Sequence, residues 1–196
     1  MLRRFAPIAV LLMGTALLVI PSAHAGATRT VEMSISGYSP TTLTVLQGTT
    51  VTWHTADFFN HTSTSDQGFW KSPLIPHDGT YSQTDAFLNA GSYPYHCTQH
   101  PLHGTVRVPL AFNGSATHGW SLTWSSAPST PAHRAFDVQI KRPGSQTFVA
   151  FKTRTAQLQA NFNPAKNGKY QFRARTINTS NGKHSDWSSP VTLTIS

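Results

Sequence analysis

Residues 93–108 read "YPYHCTQHPLHGTVRV" and hold the only cysteine of the 196-residue chain, Cys97, with His96, His100 and His103 around it. Tyr93, Tyr95 and Cys97 alternate with Pro94 and His96, the period-two pattern of a half-buried strand. That parity turns the Cys97 thiol inward at the end of the strand and His96 outward. The turn residues "TQHP" can bring His100 back beside Cys97, and Val106 and Val108 then begin a second alternation. A Cys-x-x-His pair leaves a metal short of donors, so a distant segment must contribute. The candidate is His61 in "FFNHTSTSD", which follows a strand carrying Val51 and Trp53. One thiolate with two imidazoles is the donor set of electron-transfer copper, and it suits both Cu(I) and Cu(II).

The N-terminus says where such a thiol would work. Arg3 and Arg4 precede an apolar run from Ile8 to Ile20, and "SAHA" supplies small residues at Ala23 and Ala25. This order predicts a signal peptide over residues 1–25, cleaved after Ala25, and a secreted or periplasmic product. The run is shorter than the roughly 20 residues of a membrane anchor, and no later stretch approaches that length. A single cysteine in an exported chain means an intermolecular bridge, a free thiol or a metal ligand.

Charge divides the remainder. Residues 26–109 carry three basic side chains (Arg29, Lys71, Arg107) against five acidic, a net of −2. Residues 110–196 carry ten basic against two acidic, a net of +8. Short alternating runs separated by Gly, Pro, Asn and Ser occur in both parts, and no segment after residue 25 sustains a helical period. The chain is therefore expected to be all-β, with two successive sandwiches over 26–109 and 110–196.

The stretch from "GTTVTWHTADFFNHTSTSD" through "LNAGSYPYHCTQHPLHGTVRV" resembles the plastocyanin-like and amicyanin-like cupredoxins, over about residues 29–108. Shared features are the "VTW" strand, an "HT" eight residues later, the "G-x-Y-x-Y-x-C" strand and "C-T-x-H-P" before "G-T-V". The resemblance implies a Greek-key sandwich holding one copper ion, with His61, Cys97 and His100 as equatorial ligands. Such proteins commonly place a Met in the loop after the second His. Here the only Met after residue 25 is Met33, which alternates with core positions of an early strand. His103 stands near the expected Met position and is a candidate fourth ligand. Leu102 is the alternative occupant, because the loop looks one residue shorter. The Thr62 amide and the Asn60 carbonyl are candidate supporting groups around the metal.

In the basic half, "SLTWSSAP", "AFDVQIKR", "YQFRARTIN" and "HSDWSSPVTLTI" come in the order seen in fibronectin type III domains. That resemblance implies a buried Trp124, a corner tyrosine at Tyr170, and Phe172 and Ala174 facing inward. Arg173 and Arg175 would then face outward within stacking reach of Trp187.

The leading expectation is single-electron transfer through a His₂Cys copper centre, with His103 or no ligand replacing the axial Met. Two alternatives belong to other classes: a copper-sequestering protein, and an adhesion protein with a structural cupredoxin module. A redox partner protein is expected near His100, Pro101 and Leu102, and the basic half suits an anionic cell-surface polymer. Enzyme activity is not expected, because the seven carboxylates are scattered and no Ser-His-Asp order stands out. Nucleic acid is not expected for an exported chain without a nucleic-acid motif.

Overall fold

The computed structural model describes residues 26–129 and 132–196. The expected signal peptide, residues 1–25, lies outside them. Eight strands build a first sandwich: β1 (Thr28–Ser34), β2 (Gly37–Ser39), β3 (Thr42–Thr44), β4 (Thr50–Thr55), β5 (Thr64–Ser65), β6 (Thr80–Gln83), β7 (Gly91–His96) and β8 (His103–Val108). Its sheets run β2-β1-β4-β6 and β3-β8-β7-β5. β1 pairs in parallel with β4, and β3 in parallel with β8, so the chain crosses between sheets as a Greek key does. Among the described residues the one helical element is a single 3₁₀ turn, Asp85–Leu88. Among the described residues no helix is long and apolar enough to cross a membrane.

The inner faces are those the alternation predicts: Val31 and Met33, Val51 and Trp53, Tyr93 and Tyr95, Val106 and Val108 are all buried. Met33 is thus a packing side chain in the core. Aromatic rings dominate this core. Trp53 meets Tyr95 edge-on at 5.3 Å and Trp70 at 5.6 Å, and Trp70 meets Phe87 at 5.2 Å. Each such pair stabilises by about 0.5–1.5 kcal/mol beyond its buried area. The glycine of the "G-T-V" motif follows from this packing, because a Cβ on Gly104 would lie 2.4 Å from Cζ of Tyr95.

Seven more strands form a second sandwich: β9 (Ala111–Ser115), β10 (Gly119–Thr123), β11 (Arg134–Lys141), β12 (Val149–Thr155), β13 (Gln159–Phe162), β14 (Gly168–Asn178) and β15 (Val191–Ile195). Its sheets run β13-β10-β9 and β12-β11-β14-β15 around a separate core that includes Trp124, Phe136, Ile140 and Phe172. Ala174 is buried beside Phe172. On the outer face, the guanidiniums of Arg173 and Arg175 lie 4.8 and 4.7 Å from the Trp187 ring.

The two sandwiches share a hydrogen-bonded seam. Ser92 on β7 exchanges two backbone bonds with Asp186, at 2.9 and 2.8 Å. Ala90 donates its N–H to the Trp124 carbonyl at 2.8 Å, and its side chain belongs to the second core. The Thr176 hydroxyl donates to the Ala90 carbonyl at 2.9 Å and lies 3.1 Å from the Tyr93 hydroxyl. Gly91 is required here, since a Cβ would meet Ser185 Oγ at 2.4 Å.

This seam predicts cooperative unfolding. Thr176→Val strands the buried Ala90 carbonyl, a loss of about 1–3 kcal/mol. The urea midpoint should fall equally for NMR signals from the first core, such as those of Val31 and Val106, and from the second, such as those of Phe136 and Ile140. Two separated transitions in the unmodified protein would show the seam to be weak.

Candidate metal centre

The centre is assembled from two chain segments. His61 follows β4 and precedes β5, while Cys97 and His100 lie in the turn between β7 and β8. His61 and Cys97 are buried, and His100 is half-exposed. Their donor atoms all lie within 4.8 Å of one another. Cys97 Sγ is 3.9 Å from His61 Nδ1 and 3.7 Å from His100 Nδ1.

Each residue of the His61 segment is pinned by its neighbours. His61 exchanges backbone bonds with Ile75, at 3.0 and 2.8 Å. The Thr62 carbonyl accepts the buried Tyr38 hydroxyl at 2.6 Å. Ser63 is gripped by Ser72 through its N–H and by Trp70 Nε1 through its hydroxyl. Thr62 also reaches the other segment twice. Its N–H donates to Cys97 Sγ at 3.4 Å, and its hydroxyl accepts the Thr98 N–H at 2.8 Å. The Thr62 amide is thus the supporting group expected of it, whereas Asn60 is exposed.

One contributor was not expected from the sequence. Asp57, four residues before His61, takes His61 Nε2–H on Oδ1 at 2.9 Å. Its carboxylate is itself held by the amides of Ile35 and Phe59, at 2.5 and 3.0 Å. With Nε2 carrying the proton, Nδ1 keeps its lone pair toward the thiol, the arrangement of a carboxylate-oriented metal ligand. An acidic residue four positions before a ligand histidine was the available signal. Burial works against ionising Asp57, but these hydrogen bonds prevail and lower its pKa.

Strand register separates the two candidates for the fourth position. His96 pairs with His103, and Cys97 N–H donates to the Leu102 carbonyl at 3.0 Å. Residues directly opposite across two strands share a face, so Leu102 shares the inner face of Cys97 and packs on the core that contains it. His103 shares the outer face of His96 and is exposed. The expectation that His103 joins the cluster is therefore corrected: the structure brings together His61, Cys97 and His100 and leaves His103 outside.

The donors fit a trigonal metal. With bonds of about 2.3 Å to sulfur and about 2.0 Å to nitrogen, as for zinc, a 120° donor angle gives an S···N separation of about 3.7 Å. The observed 3.7 and 3.9 Å need little adjustment. The thiol is prepared as well. Burial alone would raise its pKa, but the Gln99 and Thr62 amides and the His61 and His100 rings bring it from 9.0 to about 6. Near neutral pH the sulfur is an anion, the form that binds metal.

Two outcomes are expected. Asp57→Ala frees the His61 ring and leaves its buried N–H unpaired, which should weaken copper binding about 10–100-fold in chelator competition. In the metal-free protein the ultraviolet thiolate absorbance should be half-developed at pH about 6. The sign follows from linkage: the folded chain binds fewer protons than the unfolded one between about 6 and 9. The stability this group adds is full above about 9 and is lost as pH falls through about 6.

The family model for the cupredoxin-like domain matches residues 8–108, more than half of the chain. A search of curated proteins returns no match. Among solved structures, an oxidised Met-to-Leu variant of amicyanin is 35% identical, covering 40% of this chain and 79% of that one, with a TM-score of 0.38. A Cu(I) Met-to-Ala variant of amicyanin is 32% identical, covering 45% of this chain and 95% of that one, with a TM-score of 0.39. With the two imidazoles and the thiolate gathered at one end of the Greek-key sandwich, and the family model spanning that sandwich, the chain belongs to the cupredoxin-like family and its cofactor is one copper ion.

Proposed function

We propose that this is an exported one-electron carrier whose copper would be held by His61, Cys97 and His100, with Leu102 in place of a fourth donor side chain. The observation that carries the reading is the Cys97 thiolate with two Nδ1 donors at 3.9 and 3.7 Å. Copper in such a set exchanges one electron between Cu(II) and Cu(I). The chain's own part is to hold one donor geometry for both states. Thr62 fixes the sulfur, Asp57 fixes the His61 ring, and the short turn fixes His100 through the Leu102 N–H bond to its carbonyl at 2.8 Å.

Electrons would leave through His100, the half-exposed ligand. Beside it Phe59 is 52% exposed, with its ring 6.1 Å from the imidazole. Together with exposed Pro101 this ring offers a small apolar surface suited to a brief encounter with a redox protein. Export rests on the signal-peptide pattern of residues 1–25.

The division at residues 109 and 110 and a fibronectin type III-like second module belong to the same proposal. Supporting them are the three- and four-stranded sheets, the fully buried Trp124, and the Tyr170 hydroxyl donating to the Lys166 carbonyl at 2.9 Å. The last of these has the form of a tyrosine corner. The net charge of +8 over residues 110–196 suits an acidic redox protein or an anionic polymer.

The visible spectrum of the copper-loaded protein, followed by electron exchange with a small redox reagent, is the test. A strong thiolate-to-copper band with rapid exchange supports the carrier, whereas bound copper without the band supports sequestration. Cys97→Ser should abolish the band. Leu102→Met adds a weak axial thioether, favouring Cu(II) and lowering the potential, while His103→Ala should leave band and potential unchanged.

A further inference from the structure

The outer face of the β7–β8 hairpin carries a second constellation of metal-binding side chains. His96 and His103 stand directly opposite across the two strands. Because the neighbouring pair, Cys97 and Leu102, is joined by a backbone hydrogen bond, His96 and His103 fall at a non-hydrogen-bonded position. There the Cα atoms approach to about 4.5 Å and facing side chains lie closest. The two rings are 6.4 Å apart between centres, inclined at 46°. Both lie on the face opposite the Cys97 thiol, so this pair is separate from the buried centre although His96 adjoins Cys97 in sequence.

We infer that His96 and His103 form a second, surface site for a divalent d-block cation, Cu(II) above all, with Asp66 orienting His96. Asp66 Oδ1 lies 2.5 Å from His96 Nδ1, so the carboxylate takes the Nδ1 proton and leaves Nε2 as the donor. This is the carboxylate–histidine arrangement that raises the basicity of metal-binding imidazoles. Asp66 is itself fixed, its N–H donating to the Pro94 carbonyl at 3.0 Å.

The spacing is within reach of a shared ion. With metal–nitrogen bonds of about 2.0 Å and about 1.1 Å more to each ring centre, two imidazoles on one ion have centres about 4.5 Å apart at a right angle and about 6.2 Å apart when opposed. The exposed His103 ring closes the difference by side-chain rotation alone. Water fills the remaining positions. Imidazole nitrogen without thiolate favours Cu(II) over the other divalent first-row ions, with Zn(II) weaker. Of the nearby cations, the Lys183 ammonium is engaged by the Asp66 carbonyl at 3.1 Å. Arg107 lies four residues beyond His103 on the same strand face, roughly 13 Å away.

The experiment is a Cu(II) titration of protein already loaded with one copper, followed by calorimetry and electron paramagnetic resonance. A further equivalent with a nitrogen-ligated signal and no added thiolate band is expected. His96→Ala and His103→Ala should each weaken it at least tenfold, Asp66→Asn about tenfold, and His118→Ala should leave it unchanged. An unaltered thiolate band in these variants reports intact folding and an intact buried centre. Cys97→Ser disables that centre alone, so the surface equivalent should persist there. No further equivalent in the unmodified protein, or one unaffected by both histidine substitutions, overturns the assignment.

Discussion

Thr62 joins the two ligand segments of this protein. Its amide bonds the Cys97 sulfur and its hydroxyl receives the Thr98 amide, while its carbonyl holds the Tyr38 hydroxyl. His61 stands one residue before it and the Cys97–His100 turn lies across from it, so Thr62 spans the gap between the donors, next to the β5–β7 pairing of Thr64 with His96. The same amide stabilises negative charge on the sulfur, which couples the position of the thiolate to its ionisation.

The clasp depends in turn on the aromatic core. Trp70 bonds the Ser63 hydroxyl at 2.9 Å and packs on Trp53, Phe87 and Tyr95. Tyr38, whose hydroxyl ends on Thr62, stacks on Tyr95 at 4.8 Å. Rings buried for their apolar area thus also deliver their polar ends to the segment before the metal. A centre that must keep one geometry through a change of charge is better supported by rigid rings than by flexible aliphatic chains.

Much of this was legible in the sequence, because ligands at strand ends inherit the parity of their strands. Alternation put Cys97 inside and His96 outside, and spacing returned His100 to the thiol. His61 came from a distant motif in the right order. The choice between His103 and Leu102 stayed open because it turns on strand register, which a count of residues along the turn does not give. Pairing Cys97 with Leu102 leaves His103 opposite His96, on the outer face. Asp57 was missed for a related reason: its contact with Nε2 depends on how the 57–61 segment folds, and no periodicity encodes that. The seam at Ser92 and Asp186 was hidden as well, since it joins residues far apart through backbone groups that any side chain could carry.

That seam has a consequence for how the proposed carrier would meet its partner. Of the bonds that tie the second sandwich to the first, two sets reach the strand bearing Cys97 and the turn beside it. One lies at Ser92; the other joins the 66–68 turn to Asn178, Asn181 and Lys183. Asp66, in that turn, also holds His96, the residue before Cys97. The net charge of +8 over residues 110–196 is therefore held in fixed relation to the copper ligands and to a first sandwich of net −2. A charge asymmetry on a flexible tether would raise only the local concentration of an acidic partner. Held rigidly, it exerts a torque on an approaching acidic protein and favours one orientation before contact. The apolar ring of Phe59 beside His100 would then need to supply little affinity, as an encounter that must end once the electron has passed requires.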